Sequence, residues 1–96
     1  MRESELRAQV VSLAHSRGWM VFSLPIAKTR RPVKDAVGYP DLTLARHGAV
    51  LWLELKQDAG LVSDAQVRWM SHLPAHACHV IRPVDVVSGV LDGLLA

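Results

Sequence analysis

Apolar positions recur along the chain at two different spacings, which divide it into seven predicted elements. Helical spacing at Leu6, Val10 and Leu13 predicts an amphipathic helix over residues 3–17, ended by Gly18. Further helices are predicted at 64–73 and 84–95, and short apolar runs predict strands at 19–24, 42–45, 49–56 and 78–81. The order α-β-β-β-α-β-α predicts a single α/β domain over residues 1–96.

The second and third strands form a predicted hairpin that carries charged residues at its open end. Gly48 is in the turn, and alternation along the following strand puts Glu54 and Lys56 on one face of it. Counting outward from the turn brings Asp41 to Glu54 as a direct or diagonal cross-strand neighbour. Two carboxylates at that separation suit one shared hard cation, to which the backbone carbonyl of Leu55 could add an oxygen. Lys56 would then orient or deprotonate an attacking water, or stabilise charge on a phosphate.

A basic segment precedes this hairpin. Its cations are Lys28, Arg30, Arg31 and Lys34. Such a run is commonly a solvated loop, but beside a carboxylate site it can instead hold a phosphate backbone. The net charge of +2 is compatible with nucleic-acid binding without requiring it.

Composition narrows the remaining possibilities. The single cysteine, Cys78, excludes an internal disulfide and a cysteine-based zinc site, and is typical of a reducing cytosol. No run reaches the roughly 18 apolar residues of a membrane span. The hydrophobic fraction of 50% is high for 96 residues, which suggests a face covered by a second copy of the chain.

The spacing of the charged residues resembles a known family. Pro40-Asp41, twelve intervening residues and Glu54-Leu55-Lys56 resemble the PD-(D/E)xK nuclease superfamily, and more narrowly its virus-type replication-repair nuclease (VRR-NUC) domain. That pattern also has an early helical glutamate, a Gly-x-Pro-Asp motif and a Ser-x-x-Gln helix. Their counterparts are Glu3, Gly38-Tyr39-Pro40-Asp41 and Ser63-Asp64-Ala65-Gln66, whereas the basic loop is longer than the family pattern.

The resemblance implies a restriction-endonuclease-like fold, which is a mixed β-sheet flanked by helices, and the activity of a Mg²⁺- or Mn²⁺-dependent deoxyribonuclease. Asp41 and Glu54 would bind the metal, Lys56 would be catalytic, and Glu3 and Gln66 would support the site. Stand-alone members of phage type imply a homodimer that cuts branched DNA, such as four-way junctions or flaps, in the cytoplasm of a bacterium or phage-infected host.

Plainer interpretations remain open at this point. Glu54 and Lys56 could form a same-face ion pair on a solvated sheet, and Gln66 could be an ordinary surface residue. Glu3 could be a first-turn acid favoured by the helix dipole, or Glu5 could serve the site in its place. Two other functions are also open: a non-catalytic nucleic-acid-binding module on the same fold, and a small assembly or toxin–antitoxin-like partner.

Overall fold

Helices and strands make up most of the described chain. The computed structural model describes residues 1–23 and 34–96. The helices are α1 (Glu3–Ser16), α2 (Asp64–His72), α3 (Pro83–Val87) and α4 (Val90–Leu95). The strands are β1 (Met20–Phe22), β2 (Leu42–Arg46), β3 (Ala49–Leu55) and β4 (Cys78–Ile81), and a 3₁₀ turn spans Ala75–Ala77. No helix in these two ranges is long and apolar enough to cross a membrane.

The strands form one open mixed sheet in the order β1-β2-β3-β4. The pairs β1–β2 and β2–β3 are antiparallel, and β3–β4 is parallel. The β2–β3 turn uses positive φ angles at His47 (49°) and Gly48 (81°), the combination that a two-residue turn between twisted strands needs. The predicted hairpin and the general α/β class are therefore confirmed.

The core lies on one face of this sheet. Alternation gives that face the leucines of β2 and β3, and α1 packs its apolar stripe over them while α4 closes the end. Each fully buried leucine or valine contributes about 1.5–3 kcal/mol of hydrophobic stabilisation. The core side chains with no more than 1% exposure in these elements are Leu6, Val10, Ala14, Leu42, Leu44, Leu53, Leu55, Leu91 and Leu95.

The opposite face changes character along the strands. At the turn end, the cross-strand row Met20–Ala45–Val50 is exposed, with 76% of Met20 in contact with solvent. The other end of the face is covered by α2, which begins after the turn that follows β3. The sheet therefore offers an exposed apolar row at one end and a covered polar end at the other.

The C-terminal helix differs from the prediction. One helix was expected over 84–95, but the structure has two, separated by Ser88 and Gly89. Gly89 has a φ of 87°, a left-handed conformation that cannot continue a right-handed helix. The predicted order with one final helix is wrong in this respect.

Smaller differences concern element ends. The predicted helix 64–73 ends one residue earlier, because Leu73 precedes Pro74 and is extended. Of the predicted strand 19–24, Met20–Phe22 is paired, and residue 24 lies outside the described residues.

Candidate functional site

Asp41 and Glu54 lie opposite each other where the β2–β3 ladder ends. The last regular pair is Leu42 with Leu53, so the next pair outward is Asp41 with Glu54. Asp41 Oδ2 accepts a hydrogen bond of 2.8 Å from the backbone N–H of Leu55. This bond holds the Asp41 carboxylate next to the backbone of Leu55, the residue whose carbonyl oxygen is a predicted metal ligand.

Glu54 is the one charged or polar side chain that is buried in the described part of the chain, with 3% of its surface exposed. Burial, and then the adjacent Asp41 carboxyl group, raise the pKa of Glu54 to about 8, while the nearby Lys56 ammonium partly opposes the shift. Without a cation, the Glu54 carboxyl therefore retains its proton at neutral pH. This proton compensates the negative charge of a buried carboxyl, and a cation bound between Asp41 and Glu54 could take its place.

Gln66 is positioned by the cap of α2. Its backbone N–H donates to Ser63 Oγ, and its side-chain Oε1 accepts from the backbone N–H of Ser63 at 2.8 Å. Because Oε1 faces that donor, Nε2 points the other way and donates to Glu54 Oε1 at 2.8 Å. The capping box thus fixes which end of the Gln66 amide meets the carboxyl group.

Gly38 allows α2 to approach the site this closely. Its φ is 84°, and a Cβ there would lie 2.4 Å from the carbonyl carbon of Ala65. The next residue, Tyr39, packs edge-on against Trp69 of α2 and accepts a hydrogen bond from Trp52 Nε1 at 3.0 Å. The segment before Asp41 therefore fastens α2 over the polar end of the sheet.

Lys56 follows Glu54 on the same face and continues the parallel ladder through a bond from its N–H to the carbonyl of Ile81. The Arg82 guanidinium donates to the carbonyls of Gln57 (2.6 Å) and Gly60 (2.7 Å), which holds the turn after Lys56. Within residues 1–23 and 34–96, the ion pairs involve only Arg2, Arg7 and Arg17 as cations. Lys56 is near enough to lower the pKa of Glu54, but the two side chains form no direct salt bridge.

Glu3 lies beside the pair and not in it. It is exposed, and with Arg7 and Asp41 it lines a groove of about 590 Å³ along α1. Glu5, the alternative, pairs with Arg2 at the surface at 3.9 Å. Of the two acids, Glu3 is the one that borders the Asp41 side of the site.

Arg7 is the functional candidate that the sequence analysis missed. Its Nη1 donates to Ser23 Oγ at 2.8 Å, and its Nη2 lies 3.5 Å from Asp41 Oδ1. It is four residues after Glu3, so both side chains project from the same face of α1. That spacing could have drawn attention to Arg7 once Glu3 was a candidate.

The predicted phosphate-binding loop falls mostly outside the described residues. This is the case for Lys28, Arg30 and Arg31, whereas Lys34 is exposed at the start of the second described range. The role of this loop in DNA binding therefore stays a prediction.

The donor set at Asp41 and Glu54 fits a hard divalent cation. Magnesium is typically held by one or two carboxylates, with waters and substrate oxygens completing its shell. Across the two described ranges, no cluster of three or more His, Cys, Asp or Glu side chains forms a closed metal cage. Comparisons with protein-family models, curated proteins and solved structures find no match to this chain.

Proposed function

We propose that the protein is a Mg²⁺- or Mn²⁺-dependent nuclease that hydrolyses DNA phosphodiester bonds, on a restriction-endonuclease-like fold of the VRR-NUC type. The observation that carries this proposal is the contact between Asp41 and Glu54. One of these carboxyls is buried, retains a proton near neutral pH and accepts a hydrogen bond from Gln66. Strongly perturbed carboxyls with a specific partner are characteristic of functional sites.

Each residue has a distinct role in this proposal. Asp41 and Glu54 hold the cation, with the Leu55 carbonyl as a further oxygen. Gln66 keeps the Glu54 carboxylate oriented once its proton is lost. When bound, the cation supplies Lewis-acid stabilisation of the phosphate and lowers the pKa of an attacking water. Lys56 donates to a phosphate oxygen or takes the proton of that water.

The geometry argues against a purely structural ion pair. A same-face Glu–Lys pair on a solvated sheet would leave Glu54 exposed and close to the Lys56 ammonium. Glu54 is instead almost fully buried and faces a second carboxyl. Placing a buried acid against a second, partly buried acid is costly unless a proton or a cation compensates, so stability alone does not account for the arrangement.

The exposed apolar row on the sheet supports a homodimer. Met20 and Val50 flank Ala45 in this row, and Phe22, also in β1, is 57% exposed. Contiguous exposed apolar surface of this kind is typical of protein interfaces. Two copies would bring two sites to two DNA strands, which fits branched DNA such as junctions or flaps. The single cysteine suggests that the protein acts in a reducing cytosol.

The test is a cleavage panel. A four-way junction, a flap, a nicked duplex and a linear duplex are incubated with Mg²⁺, Mn²⁺ or EDTA. We expect metal-dependent cleavage by the parent and a loss of roughly a hundredfold or more in Lys56→Ala and in Asp41→Ala, since each removes charge from the reacting centre. Glu5→Gln, which removes a surface acid from α1, serves as the control. DNA binding without cleavage of any substrate would instead support a non-catalytic binding module.

A further inference from the structure

The groove along α1 contains a cation, Arg7, to which the proposed function assigns no role. Arg7 lines this groove together with Glu3 and Asp41, and 35% of its side chain is exposed. The described residues that line the groove belong to α1 and to the Asp41 end of β2, with none from α2. A DNA strand that passes through the groove to bring a phosphate to the proposed metal site at Asp41 would therefore pass beside Arg7.

Among the described residues, Arg7 uses only part of its hydrogen-bonding capacity. A guanidinium has five N–H donors, and the structure shows Arg7 using one on Ser23 and one towards Asp41. The 3.5 Å separation from Asp41 Oδ1 is long for a charge-assisted bond, which is typically about 2.7–2.9 Å. The remaining donors and the loose contact leave the guanidinium able to meet another anion.

Charge balance indicates which anion that is. Arg7 compensates one carboxylate oxygen of Asp41, the same group that is proposed to hold a divalent cation. A cation bound at Asp41 would take over the compensation of this carboxylate and would place a second positive charge beside Arg7. An incoming phosphate relieves this excess, and the planar fork of arginine matches phosphate oxygens.

We propose that Arg7 is a substrate-binding residue that contacts a DNA phosphate next to the metal site. This inference rests on the proposed nuclease function for the direction of the DNA, but the phosphate contact itself can be measured separately. In this role Arg7 competes with the metal for Asp41 in the free protein and binds a DNA phosphate in the complex. Its removal should therefore affect metal binding and DNA binding in opposite directions.

The experiment compares Arg7→Ala and Arg7→Lys with the matched control Arg17→Ala. Arg17 is at the C-terminal end of the same helix and pairs with Asp92, away from the groove. Binding of a short-armed four-way junction and of a linear duplex is measured in Ca²⁺ over a series of salt concentrations. Binding of Mn²⁺ alone is followed by the rise in melting temperature, and cleavage is measured with Mg²⁺.

We expect Arg7→Ala to weaken DNA binding on the order of tenfold to a hundredfold and to lower the salt slope by about one unit. Mn²⁺ should bind at least as tightly as in the parent, because a competing charge is gone. Arg7→Lys should recover the salt slope but only part of the affinity, and Arg17→Ala should match the parent.

Three results would overturn the inference. The first is an unchanged DNA affinity and salt slope in Arg7→Ala. The second is a joint loss of Mn²⁺ binding and DNA binding, which would mean that Arg7 only holds Asp41 in position. The third is an equal loss in Arg17→Ala. If the parent cleaves no DNA with any metal, the nuclease proposal fails, and the salt slope still decides whether Arg7 contacts a phosphate.

Discussion

Replacing Glu54 with glutamine should stabilise the metal-free protein at neutral pH and at the same time abolish its response to divalent cations. The glutamine amide resembles the protonated carboxyl group. Its oxygen can still accept from Gln66, and its nitrogen can donate to the Asp41 carboxylate. The variant therefore keeps the contacts of the proton-bound site but has no carboxylate to offer to a metal.

The size of the effect follows from the pKa of Glu54, which rises from 4.5 to about 8 on folding. Between these values the folded protein binds a proton that the unfolded chain releases, so the stability of the parent falls as the pH rises. Each pH unit in this window costs about 1.4 kcal/mol, and the loss at pH 7 is about 3 kcal/mol relative to pH 4.5. The amide introduced by Glu54→Gln does not titrate, so the variant escapes this loss.

The assay is urea denaturation in EDTA at several pH values between about 5 and 8.5, which span most of the window between the two pKa values. Titrating groups distant from Glu54 are common to both proteins, so they cancel in the difference between Glu54→Gln and the parent. We expect this difference to be small at the acid end and to grow with pH, whereas the control Glu5→Gln stays parallel to the parent. Added Mn²⁺ should stabilise the parent more strongly as the pH rises, and should leave Glu54→Gln unchanged.

A constant offset between the two stability curves would refute the reasoning, because it would mean that Glu54 titrates normally in the folded protein. A variant that is less stable than the parent at every pH would mean that the glutamine cannot occupy the site. Mn²⁺ stabilisation of Glu54→Gln equal to that of the parent would remove Glu54 from the metal site.

Three further substitutions test how the site and its face are built. Gly38→Ala should lose activity and about 1–3 kcal/mol or more of stability in urea denaturation, because the new Cβ would meet the backbone of α2. The control is Gly89→Ala, which has nearly the same φ but open space around it and should lose stability only. Gln66→Ala should lower the initial rate of cleavage by roughly tenfold or more, and in urea denaturation it should destabilise the protein by about 1 kcal/mol through the lost cap of α2. An unchanged rate would mean that Gln66 is not part of the site. Phe22→Ser should convert a dimer into a monomer in light scattering, whereas Val87→Ser, also highly exposed, should not; the reverse result would move the interface to α3.

Much of the hairpin could be predicted because its determinants are local. Gly48 marks the turn, and antiparallel pairing is then a matter of counting, which brings position 41 opposite position 54. Alternation along β3 assigns its leucines to the core without any knowledge of the rest of the fold. The proximity of the two carboxyl groups follows from the turn position and the pairing count alone.

The break in the C-terminal helix and the contact of Arg7 with Asp41 could not be predicted from local pattern and pairing. Apolar positions continue at helical spacing through Val87, Val90 and Leu91, so periodicity indicates one helix, and the left-handed φ of Gly89 has no local signature that separates it from helical Gly93. The contact of Arg7 with Asp41 joins residues 34 positions apart. Such a contact depends on how α1 lies on the sheet, which pairing rules within the hairpin do not determine.

The burial of Glu54 shows how local and long-range information combine at the candidate site. A sequence of Ser-x-x-Gln indicates a capping box, and the structure has one at the start of α2. In an isolated helix that box would stabilise the first turn and nothing more. Gly38 gives the capping box a second role, because only a residue without a Cβ lets α2 lie close enough for the free end of the Gln66 amide to reach Glu54. A local cap thereby becomes a means of orienting a buried carboxyl group, which is why Gly38 should affect chemistry although it contributes no functional group.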